Sequence, residues 1–205
     1  MSENSISTAL AHLSTHDDVM ASLIDIYPRC TLKPHHDHYG ALLDAIIGQQ
    51  LSEKAGAAIV KRFTTLFGGA FPSPQLIIET DTEAIRNIGV SYAKIRCMKD
   101  LAAHILDGRL DLEHIASLPN DEAIARLVDV KGIGEWTAHM FLIFCVGKLD
   151  ILPVGDLGVR KAMMKRYGLP GLPDRVTMVR VASSHHWHPY ESVASWYLWR
   201  SLENS

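Results

Sequence analysis

Apolar positions recur along this chain at steps of three and four residues almost from end to end, the spacing that places them on one face of an α-helix. The pattern predicts short amphipathic helices over residues 7–13 and 17–26, the second stopping before Pro28. A third, over 38–49, carries Leu42, Leu43, Ile46 and Ile47 on one stripe, and a fourth, over 52–67, stops at Gly68-Gly69. Ser73-Pro74 reads as an N-cap followed by proline at the first helical position. Helices follow over 81–87, ended by Gly89, and 91–106, ended by Gly108, then over 111–117, 120–129, 134–146, 156–167, 174–184 and 189–202. No strand alternation, internal repeat or low-complexity linker interrupts them, so the expected fold class is all-α. The 134–146 helix is apolar on nearly every face and is expected in the core of a lobe. The stretch 148–155 contains Pro153 and Gly155 and reads as a loop where the chain crosses between lobes.

Composition narrows the setting. The chain has 205 residues, 47% hydrophobic and 21% charged, enough for one large domain or two small lobes sharing a cleft. The longest apolar run, from Met140 to Val146, is far too short to span a bilayer. The start of the chain lacks the basic and apolar regions of a secretion signal. Cys30, Cys97 and Cys145 are scattered and form no CxxC pair. That fits a reducing cytoplasm and argues against a structural zinc or an iron–sulfur cluster. A net charge of −3 counts against a general nucleic-acid coat, because phosphate binding needs cations. Locally the balance reverses: Arg160, Lys161, Lys165, Arg166, Arg175 and Arg180 face only Asp174 across residues 160–180. This run is either a local grip on DNA or a solvated helix face.

The helices over 120–129 and 134–146 are joined by Val130-Lys131-Gly132-Ile133-Gly134. So tight a turn needs glycines that accept positive φ, and the helix after it starts with N–H groups that can bind phosphate without side-chain charge. By itself the turn is equally a plain corner in a helical bundle. The longer string is more specific. Gly132-Ile133-Gly134-Glu135-Trp136-Thr137-Ala138 is followed, 20 residues after Trp136, by Asp156 at the end of Leu152-Pro153-Val154-Gly155-Asp156. This resembles the helix-hairpin-helix superfamily of DNA glycosylases, in particular its alkylation-repair branch (3-methyladenine DNA glycosylase II). Similar to the same branch are Ala45-Ile46-Ile47-Gly48-Gln49-Gln50-Leu51-Ser52, Gly89-Val90-Ser91-Tyr92-Ala93-Lys94, Trp187-His188-Pro189-Tyr190 and Ser195-Trp196-Tyr197-Leu198-Trp199. The resemblance runs from about His38 onward and is to the short form, without an N-terminal α/β domain. It implies two helical lobes with a cleft between them. Residues 1–37 would pack with 157–205, and 38–156 would form a second lobe holding the hairpin (about 120–146) and the catalytic loop.

What the resemblance implies chemically can be set beside the residues. A base stacked in duplex DNA must be flipped out before it is attacked, and breaking its N-glycosidic bond leaves positive charge on the sugar. A carboxylate stabilises that cation and orients water, the role implied for Asp156; alone, Asp156 is better explained as a helix N-cap. No second carboxyl suits the role of general acid, Asp150 being the nearest in sequence. A base alkylated on a ring nitrogen already carries positive charge and leaves neutral without one, which points to 3-methyladenine and 7-methylguanine. Trp136, Trp199 and Met140 fall at the positions of the family's base pocket, where aromatic faces would hold a cationic base. Trp187, Tyr190 and Trp196 lie on or before the same last helix, where Trp196 reads as ordinary core. Bifunctional relatives carry a Schiff-base lysine where this chain has Trp136, and Lys131 is in the wrong position, so a monofunctional enzyme is implied.

The implied DNA contacts are Val130, Lys131, Gly132, Ile133 and Gly134 of the hairpin, with Ser52 and, at the wedge position that fills the hole left by the flipped base, Gln50. An amide here replaces a bulky apolar wedge, and Glu191 stands where an arginine is expected. No side-chain metal site is expected. His35-His36-Asp37-His38 and His185-His186-Trp187-His188 read as solvated loop residues. A sodium or potassium ion on the Val130 and Ile133 carbonyls is implied by the resemblance alone, with no other cofactor. The expected partner is double-stranded DNA containing damaged bases, bound by a monomer away from membranes, in the cytoplasm (at the nucleoid if bacterial). The competing readings are an oxidised-base or mismatch glycosylase of the same superfamily, a non-catalytic helix-hairpin-helix DNA-binding protein, and an all-helical scaffold with a fortuitous turn.

Overall fold

A computed structural model describes residues 3–203, and every regular element among them is a helix. Helix starts follow the capping chemistry. Ser52, Ser73, Ser91, Asp156 and Asp174 each stand one residue before a helix, with a side-chain oxygen that accepts an N–H from its first turn. None of the helices is long and apolar enough to cross a membrane, among the described residues.

The chain divides into two compact units, Met1–Pro34 with Leu142–Ser205, and His35–Phe141. The first contains α1 (Glu3–His16), α2 (Asp18–Ile26), a π-helical turn (Leu142–Val146), α10 (Leu157–Arg166), α11 (Arg175–Ser184) and α12 (Glu191–Glu203). Its core is built by α12 against α1, α2 and α10 around Leu13, Met20, Met163, Trp187 and Tyr197. The boundary between the units differs from the expected one, because residues 142–156 go with the first unit. Ser192, fully buried on α12, gathers that loop. Its N–H donates to Leu149 O at 2.8 Å, its hydroxyl donates to Lys148 O at 2.8 Å, and the Ile151 N–H donates back to Ser192 Oγ at 3.1 Å. The expected 134–146 helix is also divided, into α9 (Glu135–Phe141) and the π turn. Apolar on nearly every face, it is still not buried on all of them, since Trp136 and Phe144 are 46% and 37% exposed.

A buried carboxylate organises the first unit. Asp17 caps α2, its Oδ1 accepting the N–H groups of Val19 and Met20, while Oδ2 accepts the Tyr167 hydroxyl at 2.6 Å and Trp187 Nε1 at 2.7 Å. Burial, reinforced by this carboxylate, pushes the Tyr167 hydroxyl far up, so it remains a donor. Removing one acceptor here leaves several buried donors without a partner, at about 1–3 kcal/mol each. Asp17→Ala is therefore expected to destabilise the protein by about 3 kcal/mol or more, read from urea titrations of wild type and variant. A loss under about 1 kcal/mol would show that water replaces the carboxylate.

The second unit contains α3 (His38–Gly48), α4 (Glu53–Leu66), α5 (Pro74–Glu79), α6 (Thr82–Asn87), α7 (Tyr92–Leu106), a 3₁₀ turn (His114–Ser117), α8 (Asn120–Val128) and α9. Where a full helix over 111–117 was expected, only the 3₁₀ turn forms. Leu42, Leu43, Ile46 and Ile47, the predicted stripe of α3, are fully buried, and α3 packs on α4, α7 and α9. Helix α7 also carries α5 and α6 and is the spine of this unit.

Candidate active site and nucleic-acid interface

In the second unit, α8 and α9 are joined by the turn 129–134. Val130 and Ile133 bury their side chains, and the Ile133 N–H donates to Val130 O at 3.0 Å. Gly132 takes φ +90°, which favours glycine, and a Cβ there would also lie 3.0 Å from Cys97 Sγ, a tight approach. Gly134 does not share that preference. Its φ lies outside the left-handed region and a Cβ would meet nothing within 4 Å. The expectation of positive φ thus holds for the first glycine alone, and Gly134 leaves open space at the start of α9.

Directly after this turn, Trp136 stands half exposed. Together with Met140 of α9 and Gln49, Gln50 and Ser52 from the turn after α3, it lines a cleft of about 430 Å³. Four residues singled out from the sequence, Gln50, Ser52, Trp136 and Met140, therefore share one cavity. Gln50 adopts a left-handed backbone (φ +57°), a conformation costing a non-glycine residue about 1–3 kcal/mol, found where surroundings enforce it. Residues beside it are tied down. Gln49 Nε2 reaches Gly132 O at 3.3 Å and Thr137 Oγ1 at 3.4 Å, and the Lys94 ammonium donates to Ile47 O at 2.7 Å. Partial burial lowers the Lys94 pKa. Leu51, which sequence reasoning passed over, is 39% exposed beside Gln50, and its signal was an apolar residue in a polar turn.

In the first unit, Asp156 is the N-cap of α10. Its Oδ1 accepts the Val159 N–H and the Trp199 indole N–H, both at 2.8 Å, and the residue is only 9% exposed. Capping and a second charge-assisted bond together fix the carboxylate. The Trp199 ring lies 5.5 Å from the Phe144 ring, centroid to centroid. Phe144 was missed because an apolar residue in an all-apolar helix looks like core; the π turn carries it partly into solvent. Gly158 was missed as well. A Cβ there would lie 3.0 Å from both Asp156 Oδ1 and Trp199 Cδ1, so this glycine lets indole and carboxylate meet.

The other candidates have structural partners. Trp187 is wholly buried on Asp17, and Trp196 is buried with the Arg200 guanidinium 4.8 Å over its ring. Within the basic run, Arg160 donates to Pro173 O and Arg166 to Ser201 O, each at 2.8 Å, so two of its six cations brace the unit. Glu191 faces His188 Nδ1 at 3.1 Å. Asp37 caps α3 through Gly40 N. No group of three or more metal-ligating side chains gathers among the described residues. Burial pushes the Cys30 and Cys97 thiols up to about 11, which makes them packing residues.

Residues 43–185 match the HhH-GPD superfamily of base excision DNA repair proteins. DNA-3-methyladenine glycosylase 1 of Schizosaccharomyces pombe is 33% identical over 96% of this chain and 88% of its own. The structure of the Schizosaccharomyces pombe 3-methyladenine DNA glycosylase Mag1 in complex with abasic DNA is similar at a TM-score of 0.83 and 32% identity, covering 96% of this chain and 97% of that one. A DNA-3-methyladenine glycosidase structure from Bacillus halodurans is similar at a TM-score of 0.86 and 33% identity, covering 94% and 88%. The chain belongs to the HhH-GPD superfamily of base excision DNA repair proteins.

Proposed function

We propose that the protein is a monofunctional DNA glycosylase that hydrolyses the N-glycosidic bond of alkylated bases, 3-methyladenine and 7-methylguanine, in double-stranded DNA, with Asp156 as its catalytic carboxylate. The observation that carries this reading is the Asp156 side chain, held on one oxygen by the Val159 N–H and by the indole N–H of Trp199, whose ring in turn meets the partly exposed Phe144 ring, in a chain of this superfamily. Relatives alike over nearly the full chain are named for 3-methyladenine, and one is bound to abasic DNA. Those names support both the substrate class and the product.

The reaction balances without a second acid. Water adds to the sugar carbon, the carbon–nitrogen bond breaks, and the cationic base leaves with the bonding electrons as a neutral molecule. The water proton passes to solvent or to the carboxylate, and an abasic site remains. Trp199 in the first unit, and Trp136 and Met140 in the second, are each assigned to contact with the flipped base, with the indole faces favouring positive charge. Gln50 and Ser52 are assigned to the strand from which it leaves. The hairpin residues 130–134 are assigned to phosphate, which positions DNA without reading its sequence. A sodium or potassium ion on the Val130 and Ile133 carbonyls fits this assignment. Val130 O accepts one hydrogen bond, from the Ile133 N–H, and keeps a second lone pair. The ion would add positive charge at the hairpin.

The test is release of free 7-methylguanine from a defined duplex, followed with and without alkali, and with borohydride present. Free base, strands that break only after alkali, and no trapped adduct are expected. Strand nicks without alkali, a borohydride-trapped protein–DNA adduct, or release of an oxidised guanine in preference to the methylated one would each refute the reading.

A further inference from the structure

We propose that Asp100, on α7, is a positioning residue that sets the hairpin turn for phosphate and restrains Lys131 until DNA arrives. The proposal rests on the reading of the hairpin as a DNA contact.

Cys97, Asp100 and His104 are spaced three and four residues apart on α7 and so share one face of it. Each meets the chain between Asp129 and Gly132. His104 Nε2 stands 3.1 Å from Asp129 Oδ2 and 2.8 Å from Arg109 Nη1. Asp100 Oδ2 accepts the Lys131 backbone N–H at 2.8 Å, and Asp100 Oδ1 lies 3.7 Å from Lys131 Nζ. Cys97 packs where a Gly132 side chain would be. The turn is thus met at three points by one helix face, and the central point is a carboxylate.

A carboxylate beside a phosphate-binding turn is costly on electrostatic grounds alone, since it repels the ligand. Its backbone bond supplies the compensation, because a charge-assisted bond to an N–H holds the turn in one shape. The same carboxylate pairs with the Lys131 ammonium, whose side chain is 86% exposed and, released from it, is open to a phosphate. Lys94, one turn before Cys97 on α7, holds the end of α3 through Ile47 O, so one helix contacts both the hairpin and the turn before Gln50.

Two substitutions separate the bond from the charge. Asp100→Asn keeps an oxygen for the Lys131 N–H and loses the charge; Asp100→Ala loses both. Full-length variants are titrated with undamaged duplex at several salt concentrations, with single-turnover excision of 7-methylguanine at saturating enzyme and a melting curve alongside. Asp100→Ala is expected to bind about tenfold more weakly although a negative charge has gone, with the loss in binding and not in the rate at saturation. Asp100→Asn is expected to bind at least as tightly as wild type. Its plot of log affinity against log salt should steepen by about one, because Lys131 is released to a phosphate. In a Lys131→Ala background that steepening should vanish. A merely structural Asp100 would change the melting curve and leave the salt slope alone. Unweakened binding by Asp100→Ala, or an unchanged salt slope in Asp100→Asn, overturns the proposal. Gly134→Asp, which the open space at Gly134 accommodates, distinguishes the two levels. If it weakens DNA binding while the Asp100 variants behave as wild type, this proposal fails and the hairpin reading stands. If it leaves binding unchanged, the hairpin reading fails and takes this proposal with it.

Discussion

Asp156→Asn is expected to lower the single-turnover rate of 7-methylguanine release by about 10² to 10⁴ while leaving the protein folded and bound to DNA. The amide is the same size and keeps an oxygen for both donors that now hold Oδ1, the Val159 N–H and the Trp199 indole. Cap and loop geometry should therefore survive. What disappears is the charge. A carboxylate about 4 Å from a unit cation, at an effective dielectric near 20, contributes roughly 4 kcal/mol, and this converts to about a thousandfold in rate. The sugar is cationic in the transition state and neutral in the ground state, so the loss should fall on the rate at saturation. Affinity for the lesion duplex should hold or tighten, because a negative charge near phosphates is gone. The decisive comparison is the excision rate at saturating enzyme, with a binding titration and a melting curve on the same preparation. A folded variant within about threefold of wild type would make Asp156 a helix cap and place the catalyst elsewhere.

Much of this could be read from the sequence because it is local. Helix starts at Ser52, Ser73, Ser91, Asp156 and Asp174 depend on a side chain reaching an N–H two or three residues away, and all five were legible. The buried stripe of α3 follows from spacing alone. Gln50, Ser52, Trp136 and Met140 reached one cleft through resemblance to a family, which encodes long-range proximity that periodicity cannot. What stayed hidden is long-range and carries no local signal. Asp17 looks like one more N-cap, yet it meets Tyr167 and Trp187, 150 and 170 residues away. Ser192 looks like a neutral surface residue, yet it sets the unit boundary by gathering the 148–151 backbone. A seamless apolar run gave no sign that the helix after the hairpin changes register at Leu142.

Gly158 shows the same limit at the candidate catalytic residue. A glycine in the first turn of a helix costs about 1 kcal/mol against alanine and reads as a weak position. Only the structure reveals that a single methyl would stand 3.0 Å from both the Asp156 oxygen and the indole that bonds to it. The net charge of −3 becomes intelligible in the same way. Under the proposed function, part of the phosphate contact is made by backbone N–H groups of the hairpin other than those of Val130, Lys131 and Ile133, which are bonded within the protein, and such contacts add no formal charge. Part of the basic run is occupied in bracing α10.

Trp199 should contribute through two separable interactions, and the pair Trp199→Phe and Trp199→Ala separates them. Phenylalanine keeps an aromatic face and loses the Nε1–H that donates to Asp156 at 2.8 Å. A hydrogen bond to a charged group contributes about 1.5–3 kcal/mol, so if it aims the carboxylate, Trp199→Phe should slow excision by about 10- to 150-fold. That loss should be equal for cationic 7-methylguanine and neutral hypoxanthine, since the carboxylate serves both. Alanine removes the ring as well. It should cost 7-methylguanine a further factor of about 2 to 30 relative to hypoxanthine, the range set by a cation–π contribution of roughly 0.5–2 kcal/mol. The rings of Phe144 and Trp199 also support each other, so Phe144→Ala should move in the same direction as the ring loss and by less. Single-turnover rates of both variants on both lesions, at saturating enzyme, decide the matter. Equal losses on the two substrates in Trp199→Ala would reduce the ring to packing. A Trp199→Phe rate near wild type would show that the Val159 N–H alone aims Asp156.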